Sequence, residues 1–413
     1  MGKTGKTFLT EHTEEVYSVH NYMMDAGEAE KERKKNENKK KQRERIHSIG
    51  LIFTLIIIGY ICGRSTLPGI HRYLKHRKKW LKKLLGDDFQ ALPSLVTFYR
   101  AVWETDFELF RWYLEEWVRR LLDKMKYAPG SVFMDGKSIR AASEYNAKSD
   151  KKQAPYIVHA VLRLTDKNQK RLDLYLSSEL VGPKTNEIPN IPILLQRIET
   201  KNKYVSLDAI GTQIEVFQQV EKDGGILVVP LKDNQKNTRE DIADHIQLMM
   251  ECGEVSVYDS GLEKGHGRYE RRTAYAVSNV GADLRTGFDT ARYSCIITRE
   301  REDMKTGKTT TGTFYYLSNK KLTAEEFAFH ARDHWGIEER NNWMDERLSE
   351  DRCFVRKGNG MGNLALLRRF AHNIIQIECY RSNVDLVGFN EHFDNFDVLK
   401  RAVFTHRYDM LSR

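Results

Sequence analysis

The sequence predicts an α/β protein in two parts: an all-helical N-terminal domain, then an α/β domain interrupted by a β insertion. Three observations lead there. Between residues 46 and 128, apolar side chains recur at spacings of three and four, the helical period. From Ser131 onward, short apolar runs of strand type alternate with helical stretches. Two of those runs end in an aspartate, Val132-Phe133-Met134-Asp135 and Val205-Ser206-Leu207-Asp208, and a later helical stretch, His334-Trp335-Gly336-Ile337-Glu338, contributes a glutamate.

At 413 residues the chain can hold two or three domains. Its 67 lysines and arginines exceed its 58 aspartates and glutamates, a formal net charge of +9. Basic surface gains affinity for phosphate polyanions by releasing their counterions, so this balance favours a nucleic-acid partner, although a soluble protein that is merely basic fits the same figure. The five cysteines (Cys62, Cys252, Cys295, Cys353, Cys379) are odd in number and none pairs at zinc-like spacing. They read as free thiols in a reducing, cytoplasmic compartment, at the nucleoid if the partner is DNA. HExxH, P-loop and GxGxxG patterns are missing from the sequence. The run Ile49–Cys62 is 14 residues long. A membrane-spanning helix needs about 20, so the run reads as a buried core helix and no membrane partner is expected.

In chain order, residues 1–45 read as a basic, polar leader, largely disordered. Its charge run Lys31–Arg45 suits either a solvated helix face or a DNA-contacting arm. Residues 46–128 form the helical domain. Tyr73, Leu74, Trp80, Leu81, Leu84 and Leu85 supply one apolar stripe; Phe107, Leu109, Phe110, Tyr113, Leu114, Trp117 and Leu121 supply another. The first stripe is crowded by Arg72, Lys75, Arg77, Lys78, Lys79, Lys82 and Lys83. Lys75, Lys78 and Lys79 are therefore candidate DNA contacts, the alternative being the wet side of a surface helix. The texture changes at Tyr127-Ala128-Pro129-Gly130. Residues 129–380 then read as strands Ser131–Asp135, Tyr156–Leu164 and Arg171–Leu180, a helix from about Asn186, strand Tyr204–Asp208, helix Thr212–Val220 and strand Ile226–Leu231. That order of elements is the one expected of a ribonuclease H-like fold. Residues 252–318 read as further strands, a β insertion, before helix returns at Thr323, where Thr323 and Glu326 form a capping box. A last helix spans about Asn363–Tyr380, and 381–413 is left as a C-terminal tail.

Asp135 and Asp208 gain meaning as a pair. Either one alone reads as a turn aspartate closing a strand. In the expected sheet the first and fourth strands are neighbours, which puts both carboxylates at one edge. Glu338 competes with Glu339, Glu346 and Glu350 on its own segment, but it is flanked by apolar Trp335 and Ile337, and His334 lies one helical turn before it. Two strand-borne carboxylates and one from a helix are the parts of a site for two Mg²⁺ or Mn²⁺ ions, which take hard oxygen ligands and drive in-line phosphoryl transfer.

Eight phrases in order carry a resemblance: MDGKSIR (134–140), GPKTNEIP (182–189), LDAIGTQ (207–213), LKDNQ (231–235), GHGRYERR (265–272), YYLSN (315–319), RDHWGIEERNNW (332–343) and SEDR (349–352). With ICGRSTLPGI and PSLVTFYR in the helical part, the chain resembles DDE transposases of bacterial insertion sequences, of the H-repeat-associated type, over nearly everything after residue 45. The resemblance implies that Asp135, Asp208 and Glu338 are the catalytic, metal-binding triad, with two Mg²⁺ (or Mn²⁺) ions. It implies DNA cleavage at element ends and transfer of the freed 3′-OH into target double-stranded DNA by a homodimer. Lys137, Arg140, Lys184, Arg332 and His334 are candidate phosphate contacts, each equally readable as an ordinary salt-bridge partner. After Glu338 the pattern departs: asparagine, a variable residue, leucine, histidine and tryptophan are usual, whereas Glu339, Arg340, Asn341, Asn342 and Trp343 stand here, with one residue missing before Asp345. A metal-dependent DNA nuclease and a catalytically inactive, DNA-binding transposase relic are the alternatives.

Overall fold

The computed structural model describes residues 18–37, 47–124, 130–146, 151–166, 168, 170–181, 188–208, 211–231, 235–265, 267–280, 288, 290–334 and 336–404. Helices lead: α1 (Val19–Glu37), α2 (Ile49–Ile61), α3 (Leu67–Lys75), α4 (Lys78–Leu85), α5 (Leu95–Glu104) and α6 (Phe107–Lys124). Side-chain oxygens start five of them, Ser18 accepting from the Asn21 N–H, Ser48 from Leu51, Thr66 from Gly69, Ser94 from Thr97 and Asp106 from Leu109. Every residue of α2 is buried, as its unbroken apolar sequence demands. Among the described residues no helix is long and apolar enough to cross a membrane.

The α/β part follows as β1 (Ser131–Ser138), the small hairpin β2 (Glu144–Asn146) and β3 (Lys151–Gln153), β4 (Tyr156–Thr165), β5 (Arg171–Val181), α7 (Asn190–Leu195), β6 (Tyr204–Leu207), α8 (Ile214–Lys222), β7 (Ile226–Leu231) and α9 (Lys236–Glu251). Then come β8 (Ser256–Asp259), β9 (Glu263–Gly265), β10 (Arg268–Ser278), β11 (Tyr293–Asp303), β12 (Thr309–Ser318), α10 (Ala324–His334), α11 (Gly336–Leu348), α12 (Gly360–Ser382), α13 (Phe389–Phe393) and α14 (Phe396–Phe404). One mixed sheet runs in the order β5-β4-β1-β6-β7-β12-β11-β10-β8, with β9 alongside β10. β4 pairs antiparallel with both β5 and β1, while β1, β6 and β7 run parallel.

The strands between 252 and 318 join the main sheet, β12 pairing antiparallel with β7. Three features differ from the sequence expectation. The leader is not wholly without structure: α1 lies within it, burying Val19, Tyr22, Met23 and Ala26 against α2. Helix α9 was unforeseen. The C-terminal tail carries α13 and α14, whose Phe389, Phe393, Leu399 and Val403 are buried. The capping box at α10 is present: Thr323 N–H donates to Glu326 Oε2 (2.7 Å) and the Glu326 N–H to Thr323 Oγ1 (3.2 Å).

Helix α12 joins the two parts, packing on α2, α5 and α6 and on β5. Most of it is buried, so its polar side chains must be matched inside the protein. Asn363 Nδ2 donates to the carbonyls of Val102 and Thr105 (2.9 and 2.8 Å). Asn373 exchanges two hydrogen bonds with the Tyr175 backbone (2.8 and 2.9 Å), beside the irregularity in the β4–β5 pairing. Arg368 donates to Leu348 O (3.0 Å). Arg369 meets Glu350 Oε1 at 2.5 Å, and Lys137 Nζ of β1 lies 3.4 Å from Glu350 Oε2. Burial opposes ionisation of Glu350, but Arg369, Lys137 and Arg368 overcome it and hold the carboxyl down to about 2.

Two stability predictions follow from these contacts. A Cβ on Gly50 would clash with the Met23 carbonyl oxygen at the α1–α2 crossing. Gly50→Ala should therefore destabilise the protein by about 1–3 kcal/mol in chemical denaturation. Glu350→Gln leaves Arg369 buried without its counter-charge and should lower stability by about 3–5 kcal/mol at neutral pH. A carboxyl depressed in the folded state stabilises above its unfolded value of 4.5, so the gap between wild type and variant should narrow as pH falls from there toward 2.

Candidate active site

β1 and β6 pair in parallel from Ser131↔Tyr204 to Met134↔Leu207, so Asp135 and Asp208 each follow the last matched pair. The expected neighbours are thus neighbours, and both aspartates are partly exposed. Alternation along a strand puts Phe133, Asp135 and Lys137 on one face of β1. Tyr204 and Ser206 share that face, and Asp208 continues the alternation. A short turn holds Asp208: its Oδ1 accepts from the Gly211 N–H at 3.0 Å, and Thr212 Oγ1 donates to Pro230 O at 3.0 Å.

Helices α10 and α11 lie across this face. His330 stacks on Tyr204 with ring centroids 3.7 Å apart. One turn later His334 Nδ1 and Ser206 Oγ are hydrogen-bonded at 3.1 Å, and the imidazole is 6.2 Å from the Phe133 ring. Burial pushes the His330 imidazole down to about 4, so it is neutral at pH 7. The junction of the two helices rests on Arg163 of β4, which is buried. Arg163 pairs with Asp173 (2.8 Å) and Asp333 (2.5 Å) and covers the Phe133 ring at 5.2 Å. A Cβ on Gly336 would fall 2.5 Å from Arg163 Nη1, so a larger residue would displace the buried guanidinium from its ion pairs.

Beyond the junction α11 meets β1. Asn341 Nδ2 donates to Asp135 Oδ2 at 2.6 Å. Lys137 Nζ donates to Asn341 O at 3.1 Å and also binds Asp345. Position 338 lies between His334 and Asn341 in the chain, in α11; its side chain is outside the described residues. Among the described residues no group of three histidines, cysteines, aspartates or glutamates is placed to hold a metal ion.

The candidate phosphate contacts fare differently. Lys137 is only 8% exposed and is engaged by Asp345, Glu350 and a carbonyl, which is at odds with an open phosphate-binding role. Its burial follows from carboxylates some 200 positions away, invisible to a local reading. Arg140 is exposed beside Asp351 (3.5 Å), and Arg332 is exposed and paired with Glu263 (2.9 Å). His334 is partly buried in its bond to Ser206. Lys184 lies outside the described residues, as do Asn186 and Glu187 of the same phrase. Lys75, Lys78 and Lys79 are exposed at the junction of α3 and α4. Asn341 and Glu350 were missed as site residues. The first appears in the sequence only as a departure from the family pattern, the second only within the phrase SEDR and as a competitor of Glu338.

The family described as Transposase DDE domain matches residues 127–374, and a second family, DDE_Tnp_1-associated, matches residues 35–118. A putative transposase, YncI, of Escherichia coli O157:H7 is 26% identical over 337 residues, 80% of this chain and 82% of the relative. The H repeat-associated putative transposase YhhI of Escherichia coli K12 is 26% identical over 337 residues, covering 80% and 85%. A solved piggyBac transposase synaptic complex with hairpin DNA aligns over 95% of this chain and 77% of that one, at 12% identity and a TM-score of 0.38. The match over residues 127–374 spans more than half of the chain, which therefore belongs to the transposase DDE domain family and is a DNA transposase.

Proposed function

We propose that Asp135, Asp208 and Glu338 together hold two divalent cations, Mg²⁺ or Mn²⁺, for cleavage at element ends and transfer of the freed 3′-OH into target DNA. The supporting observation is the way α10 and α11 cross the strand ends. His334 lies on Ser206 and Asn341 on Asp135, one before and one after position 338. Residues 338 and 341 are three apart, hence on one side of α11. The donor set suits the cations: Asp135 and Asp208 offer hard carboxylate oxygens at adjacent strand ends, partly open to solvent. Bound there, such cations lower the pKa of a water and neutralise charge on the attacked phosphate. The protein's part is to fix the carboxylates. The Gly211 N–H orients Asp208, Asn341 orients Asp135, and the Arg163 cluster fixes the helix junction. The run of antiparallel β5-β4-β1 with parallel β6 and β7 supports a ribonuclease H-like reading of this half of the sheet.

Residues 46–128 serve in this reading as a DNA-binding domain. Arg72, Lys75, Lys78, Lys79, Lys82 and Lys83 are exposed on α3 and α4, while Leu74, Leu81, Leu84 and Leu85 face inward. Arg140, Arg332 and Lys184 are the remaining phosphate candidates near the sheet. Joining two DNA ends calls for a homodimer, working in the cytoplasm at the nucleoid.

Alanine at Asp135, Asp208 or Glu338 should abolish metal-dependent cleavage and strand transfer of element-end DNA while DNA binding persists in gel-shift assays. Retained cleavage by one variant removes that residue from the triad. Cleavage by the wild type without strand transfer would make it a nuclease, and binding without cleavage in Mg²⁺ or Mn²⁺ a relic. Replacing Lys75, Lys78 and Lys79 by alanine should weaken DNA binding regardless of sequence. The slope of log affinity against log salt should fall by roughly one per lysine.

A further inference from the structure

We infer that Asn341 is a positioning residue for Asp135 and a determinant of cation affinity at this site. The inference rests on the reading of Asp135 as a metal ligand. A carboxylate can only accept, so the amide end facing Asp135 Oδ2 at 2.6 Å is the NH₂ group. Asn341 is itself tied to the same strand: its carbonyl accepts from Lys137 Nζ at 3.1 Å, and Lys137 is pinned in turn by Asp345 and Glu350. The amide is thus delivered to Asp135 by a backbone that β1 already holds. A donor fixed on one carboxylate oxygen sets the rotation of the group, and it favours the charged form that a cation requires. Leucine, the usual residue of the family at this position, cannot donate. The contact accompanies the other departures from the family pattern in α11.

The test is titration of the full-length protein with Mn²⁺ alone, reading free Mn²⁺ by electron paramagnetic resonance, with metal-free thermal unfolding alongside. Asn341→Leu and Asn341→Ala should each weaken Mn²⁺ binding about tenfold or more with the metal-free unfolding midpoint unchanged. Asn342→Leu, altered at the exposed neighbouring position, should bind like wild type. Asp135→Asn sets the scale and should lose more affinity than either Asn341 variant. If Asp135→Asn weakens binding while both Asn341 variants match wild type, the inference falls and the metal-site reading stands. If Asp135→Asn also binds like wild type, the reading falls and takes the inference with it. A loss of affinity that comes with a lowered metal-free midpoint in both Asn341 variants assigns the residue to the fold and likewise overturns the inference.

Discussion

The buried carboxylate of Glu350 is the constraint on which the rest of the structure turns. It lies in the short connection after α11, fully buried, and it is shared between Arg369 of α12 and Lys137 of β1. Taking a carboxylate, a guanidinium and an ammonium out of water is unfavourable unless all three find each other, so the cluster admits one arrangement of its elements. Here it clamps together the helix that carries the N-terminal region, the central strand of the sheet and the end of the helix that crosses it. Lys137 then uses its remaining donors on Asp345 and on the Asn341 carbonyl, fixing α11 along β1. Asp135, two residues away on the same face, inherits that precision.

The same geometry explains how a helix can bring a side chain to the ends of two strands. Four helical residues rise about 6 Å and two strand residues about 6.6 Å. Successive turns of α10 therefore keep step with alternate residues of β6: His330 on Tyr204, then His334 on Ser206. The next step along the strand is Asp208. Further along, Gly336 passes close to the Arg163 guanidinium, and α11 meets β1 where Asn341 donates to Asp135.

Much of this was legible in the sequence because it is local. The apolar run of α2, the capping box of α10 and the strand-then-aspartate segments each carry their signal within a few residues. What escaped depends on partners far away in the chain. Helix α1 buries Val19, Tyr22, Met23 and Ala26 at helical spacing, but those residues sit in a polar stretch, and only α2 gives them a core. Helix α9 buries Thr238, Ile242 and Ile246, a stripe too narrow to stand out among its charges. The β7–β12 pairing joins segments more than 80 residues apart, and nothing in either strand names the other. Lys137 looked like a phosphate contact because a lysine's default place is the surface; two carboxylates beyond position 340 put it inside.

The departures from the family pattern after Glu338 can be judged by where they land. Glu339 and Asn342 face solvent, where substitutions are tolerated. Arg340 contacts Asp173, which it shares with Arg163, and burial beside Arg163 and Arg171 pushes its guanidinium down to about 9. Trp343 packs its ring on His372 (5.2 Å) and Phe389 (5.5 Å), covering α12 and α13. Asn341 turns to Asp135. Even with a residue missing before Asp345, Met344 and Leu348 stay buried and Asp345 still reaches Lys137. Glu339 and Asn342 thus reach solvent, Trp343 finds an aromatic wall and Asn341 the first aspartate, while Asn341 Oδ1 and Trp343 Nε1 are buried without a hydrogen-bond partner. One altered residue, Asn341, makes a bond to Asp135 that leucine cannot make.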